Sequence, residues 1–274
     1  MNGQKLEQAA TTLRDQGRGY EAARTYQQAK AAYLEAGDAV RAAGMQHMTG
    51  VAYKIENDID ASLPALDAAI KDYQSAEDPF GPGRVERDIG IMYEYRDELD
   101  AAQEHLQKSK ELLEAAPENA TTANGEKRDA ELGITLAKLG LVAIRFSNFD
   151  EAENYIMDGL AAIRKAGHPF YEMTSLMHLA SVYFATEHYG RMLANLEAAL
   201  GLIYEYNMQD AQTRRLAQIW GLMAHGYLHC GNPETAKRFA LKSFAVIEGL
   251  SSEAAGPVQK DIQADTLRQA LAIH

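Results

Sequence analysis

The stretch Leu136–Gly159, LAKLGLVAIRFSNFDEAENYIMDG, decides how the rest of the chain is read. Leu136, Leu139, Gly140 and Ala143 recur at spacings of three and four, which places apolar residues and one glycine notch on a single helical face. Ser147-Asn148 breaks that pattern, Phe149 anchors a turn, and Asp150-Glu151 supply the acidic opening favoured at the positive end of a helix. In the segment that follows, Ala152, Ile156 and Gly159 put small residues on the face turned back toward the first helix. The stretch therefore predicts two antiparallel helices held close by small side chains.

Sliding the unit along the chain finds five further copies. The strongest reads Trp220, Met223, Ala224, Tyr227, Ala236, Ala240 and Ser243. Others run Leu6, Ala9, Ala10, Leu13, Ala22, Tyr26, Ala29; Thr49, Gly50, Tyr53, Ser62, Leu66, Ala69; Ile89, Gly90, Tyr93, Ala102, Leu106, Ser109; and Leu176, Leu179, Ala180, Tyr183, Met192, Leu196, Ala199. This pattern resembles the tetratricopeptide repeat, with its large-apolar, Leu-Gly, Tyr order in the first helix and Ala, aromatic, Ala order in the second. The small residues at 10, 50, 90, 140, 180 and 224 give steps of 40, 40, 50, 40 and 44, where that family usually repeats every ~34. The resemblance is thus to a long-helix variant, with helices of about five turns in place of four. It implies an all-α fold, a right-handed superhelical solenoid of six hairpins closed by a C-terminal capping helix.

The chain is expected to be one solenoid domain over 1–274, with repeats near 4–36, 39–76, 84–115, 127–166, 169–207 and 209–249. Pro64 is read as falling in or near the first turn of its helix, and Glu77–Gly83, EDPFGPG, as a stiff non-helical connection. The polar interval 116–129 accounts for the longest step and is read as a hinge loop. The capping helix is placed at 257–272, where Val258, Ile262, Leu267 and Leu271 form one apolar stripe.

A net charge of −12 argues against nucleic acid as a partner. No apolar run approaches the ~18 residues a spanning helix requires, and MNGQKLEQAATTLRDQG at the start carries no hydrophobic signal segment. With the single Cys230, these features read as a cytoplasmic protein without membrane insertion.

In such arrays first-helix side chains line a concave groove, and the resemblance implies a peptide or helix of a partner protein as its occupant. The inward positions include the bases Arg14, Lys54, Arg84, Arg87, Lys138 and Arg145 and the acids Glu7, Asp15, Asp88 and Glu94, so the groove is more basic than the whole chain. The residues assigned to peptide binding are Lys54, Arg84, Arg87, Ile91, Tyr95, Lys138, Leu141, Arg145, Met177, His178, Phe184 and His225. They suit a ligand with hydrophobic anchors and an acidic side chain or terminal carboxylate. The family's carboxylate clamp for chaperone tails is absent, because Glu7, Thr11 and Met48 occupy its positions.

His225 and His229 stand one turn apart, a metal-chelating spacing, but no third ligand accompanies them and Cys230 projects about 100° from His229. Neither a phosphate-binding GxxxxGK[ST] nor a GxSxG occurs. We therefore read a non-enzymatic scaffold or adaptor with no metal and no cofactor. The alternative is a signal-peptide or small-ligand sensor whose superhelix changes shape on binding.

Overall fold

The computed structural model describes residues 2–121, 125, 127–209 and 211–249. Within them lie twelve α-helices: α1 Gly3–Asp15, α2 Gly19–Glu35, α3 Ala39–Ile55, α4 Ile59–Ser75, α5 Gly81–Tyr95, α6 Leu99–Ala115, α7 Arg128–Arg145, α8 Phe149–Ala166, α9 Pro169–Ala185, α10 Tyr189–Glu205, α11 Thr213–His229 and α12 Pro233–Gly249. The count fits six helix pairs, and the fold is all-α. The stripe assigned to a capping helix at 257–272 lies outside the described residues.

One local device sets the period. Helices of mostly 17 residues are followed by a left-handed residue at positions 17, 37, 57, 77 and 97, and again at 147, 167, 187 and 207. After α1, Gly17 N–H donates to Arg14 O at 2.9 Å and Arg18 N–H donates to Leu13 O at 2.9 Å, the paired bonds of a Schellman motif. Asn57 and Asp58 repeat it on Lys54 and Tyr53. Side chains of Asp38 and Asp58 then cap the next helix by accepting from Arg41 and Ala61. A 17-residue helix and its three-residue turn make 20, and two of these make the 40-residue step.

Glycines allow the helices of a pair to close. A Cβ on Gly50 would stand 2.7 Å from Leu66 Cγ, and one on Gly90 would stand 2.8 Å from Leu106 Cγ. The hydroxyl of Ser62 ties the same pair together by donating to Gly50 O at 2.8 Å.

The chain divides into two compact units, the first ending at Phe146 and the second beginning at Ser147. In the first, α1/α2, α3/α4 and α5/α6 form hairpins and α7 packs on α6. Contacts of α1 with α3, α3 with α5 and α5 with α7 set the odd helices side by side as one face, over a core that includes Leu66, Ile89 and Met92. In the second, α8 packs on α9, and the hairpins α9/α10 and α11/α12 meet through α10 and α11.

Three local expectations are corrected. Gly81-Pro82-Gly83 opens α5 and is not a non-helical connection, since proline at the first turn loses no helical hydrogen bond. Added Cβ atoms there would meet Tyr73 at 2.3 Å and Leu113 at 2.9 Å, so glycine is needed for packing. Pro64 is the sixth residue of α4, inside the helix, and leaves the Asp60 carbonyl without its i+4 donor. The interval 116–129 already yields to α7 at Arg128, and Ala116 is buried against Phe80 and Leu113.

Candidate peptide-binding faces

On the first unit, the odd-helix face carries a ladder of charges. His47 Nε2 of α3 meets Asp88 Oδ2 of α5 at 2.7 Å, with His47 buried. Arg87 Nε lies 3.4 Å from Asp88 Oδ1, and its other arm bonds Glu131 of α7. Arg84 Nε reaches the second Glu131 oxygen at 3.1 Å. Burial by itself would raise the Asp88 pKa, but the Arg87 charge, the His47 hydrogen bond and nearby Lys54 hold it well below the usual carboxylate range. Lys54 is shifted down, chiefly by burial and further by Lys138 and Arg87, with Asp88 pulling the other way.

Further along the same face, Lys54 Nζ stands 5.1 Å from the centroid of the exposed Tyr95 ring. Lys138 Nζ is 4.0 Å from Glu94, and Arg145 bonds Asp97. Leu141 is half-buried on α7. Of the cations assigned to a ligand's carboxylate, Arg84, Arg87, Lys138 and Arg145 thus already face carboxylates of this chain. Ile91, assigned to the same surface, is buried in the core with Leu66 and Met92 instead of facing outward.

A cavity of about 230 Å³ opens between α1, α3 and the start of α5, with His47, Tyr73, Met45 and Phe80 among its lining and Arg14, Arg41 and Arg84 around it. Tyr73 is 3% exposed, and burial raises its phenol pKa to about 12.

On the second unit, Met177, His178 and Phe184 of α9 face Arg215, Gln218 and Leu222 of α11 across an open cavity of about 440 Å³. His225 does not line it. Its ring lies 4.8 Å from Phe184, 5.6 Å from Tyr189 and 4.4 Å from His229, and burial together with the His229 charge pushes its pKa down to about 4. His229 is stacked on Tyr189 at 4.4 Å.

Glu131 and Arg215 were missed by the sequence reading, although a signal existed. Glu131, Ile134, Lys138, Leu141 and Arg145 run at spacings of three and four, as do Arg215, Gln218, Leu222, His225 and His229. Each residue extends an inward stripe by one turn toward its N-terminus.

No family model and no curated protein sequence matches the chain. Among solved structures, a signal transduction ATPase with a tetratricopeptide repeat sensor, PH0952 from Pyrococcus horikoshii, is similar at 16% identity and a TM-score of 0.71, over 96% of this chain and 38% of that one. BtubC from P. vanneervenii is similar at 14% identity and a TM-score of 0.68, over 91% of this chain and 92% of that one. Cut9 and Hcn1, solved as an APC/C hetero-tetramer, give 19% identity and a TM-score of 0.61, over 98% of this chain and 46% of that one. This chain therefore spans less than half the length of two of these three. The fold is that of tetratricopeptide-repeat structures. No described helix is long and apolar enough to cross a membrane.

Proposed function

We propose that the chain is a non-enzymatic interaction scaffold that takes a segment of a partner protein on its odd-helix faces. The observation that carries this reading is the α9/α11 cavity, open to solvent and walled by Met177, Phe184 and Leu222 beside polar His178, Arg215 and Gln218. Apolar walls with a few polar groups are what a peptide anchor requires. The first unit supports the reading less directly, because its arginines are engaged with Glu131, Asp88 and Asp97. The test is a pulldown from source lysate with the full chain and with a Met177→Ala/Phe184→Ala variant, followed by calorimetry on the partner segment recovered. Loss of at least tenfold in affinity in the variant supports the scaffold. Equal binding by both proteins removes the α9/α11 face from it.

A sensor is the second reading, favoured by the smaller cavity beside His47 and Tyr73, which suits one side chain or small molecule better than a peptide backbone. The relative from Pyrococcus horikoshii carries its repeats as a sensor. A sensor of this kind changes its radius of gyration on binding, measurable by solution scattering, whereas a scaffold keeps it.

A further inference from the structure

Resting on the scaffold reading, we infer that Arg215 is the anion-recognising residue of the α9/α11 cavity, and that the bound segment presents a carboxylate next to an apolar side chain. Arg215 stands on the cavity wall, half-buried, with its guanidinium carbon 5.0 Å from the centroid of the Phe170 ring. One N–H of its Nη1 donates to Gln212 Oε1 at 2.6 Å. No carboxylate among the described residues pairs with it, in a chain whose net charge is −12 and whose Arg14, Arg84, Arg87 and Arg145 all have acidic partners.

Three features make this position hungry for negative charge. Burial lowers the Arg215 pKa, and the charge of Arg214, its neighbour in sequence, lowers it further. The first turn of α11 carries no acidic residue, so two cations sit at the positive pole of a helix dipole. The neighbouring hydroxyls are spent locally, Thr174 on Phe170 O at 2.9 Å and Ser181 on Met177 O at 3.1 Å, and compete little for an incoming carboxylate. A guanidinium has five donors in a fixed fork. With one used on Gln212, enough remain for the two-pronged grip that carboxylates accept.

Met177, Phe184 and Leu222 on the same cavity wall then set the second requirement, an apolar residue adjacent to the acid. The carboxylate can belong to an Asp or Glu side chain or to a chain terminus. Its chemistry is the same in both cases.

The experiment selects from two displayed libraries of random linear peptides, one with blocked and one with free C-termini, against the full chain, Arg215→Gln, Arg215→Lys and Phe184→Ala. Circular dichroism of each variant checks its fold. The expected result is enrichment of peptides pairing an acid with an apolar residue, with the blocked library separating side-chain from terminal carboxylates. Those peptides should bind Arg215→Gln at least tenfold more weakly, bind Arg215→Lys with intermediate affinity, and lose affinity to the full chain as salt rises. Apolar peptides without an acid, or acidic ones indifferent to Arg215→Gln and to salt, overturn the assignment of Arg215 and leave the scaffold standing. Binding that survives Phe184→Ala takes the bound segment off the α9/α11 face and overturns the assignment of Arg215 with it, and no enrichment at all overturns the scaffold reading itself.

Discussion

Replacing Glu131 with glutamine keeps the shape of the side chain and removes the charge on which two arginines converge. Glu131 is 3% exposed, and its two oxygens face Arg84 and Arg87. Taking away one partner of a buried pair costs about 3–5 kcal/mol, because the other charge stays desolvated. Two features lower that figure here: Arg87 keeps Asp88 at 3.4 Å, and Arg84, with a side chain 18% exposed, can turn toward water. We expect a loss of about 2–3 kcal/mol. With a urea slope of about 2–3 kcal/mol/M, the unfolding midpoint of the full chain should fall by about 1 M. A double-mutant cycle with Arg87→Met should return a coupling of at least about 1 kcal/mol. A midpoint unchanged by Glu131→Gln, or a coupling indistinguishable from zero, would show that the ladder is only a surface ornament and refute the reasoning.

Stability should also fall on mild acidification through His225. Its folded pKa of about 4 lies below the ordinary 6.5, so the unfolded chain binds the proton more readily. The contribution is whole above pH 6.5 and is lost as pH falls toward 4. The shift caps it at roughly 3 kcal/mol, and solvent access to a half-buried ring reduces it to about 1–2 kcal/mol. Melting curves of wild type and His225→Gln at pH 7 and pH 5 should show a smaller pH-dependent drop in the variant, and equal drops would contradict the shift. Gly90→Ala and Gly201→Ala should move stability in opposite directions. The first drives a methyl to 2.8 Å from Leu106 Cγ and 3.1 Å from the Ala102 carbonyl, at a cost of about 1–3 kcal/mol. The second meets nothing within 4 Å and should gain about 0.5–1 kcal/mol from helix propensity, with urea midpoints as the measure.

The all-helical, paired architecture was legible in the chain because it is written in local terms. Spacings of three and four, small residues at contact points and a turn every 20 residues need no knowledge of distant neighbours. The same local grammar misled at Gly81-Pro82-Gly83, where turn-forming residues open a helix because Tyr73 and Leu113 leave no room for a Cβ. Counting inward positions also predicted a basic stripe. What escaped the count was Glu131, one turn before the residues considered, whose carboxylate binds two of them.

Composition and periodicity by themselves thus determined that this chain folds into six long helical pairs, since backbone hydrogen bonding and burial of a periodic apolar face are decided within some 20 residues of sequence. Only the tertiary structure decided which charges remain available to a partner. Whether an arginine is neutralised depends on a carboxylate that may stand 44 positions away, as Glu131 does from Arg87, or be absent among the described residues, as at Arg215. Electrostatic pairing acts through space over a few ångströms, and linear spacing carries no record of it until the helices are packed.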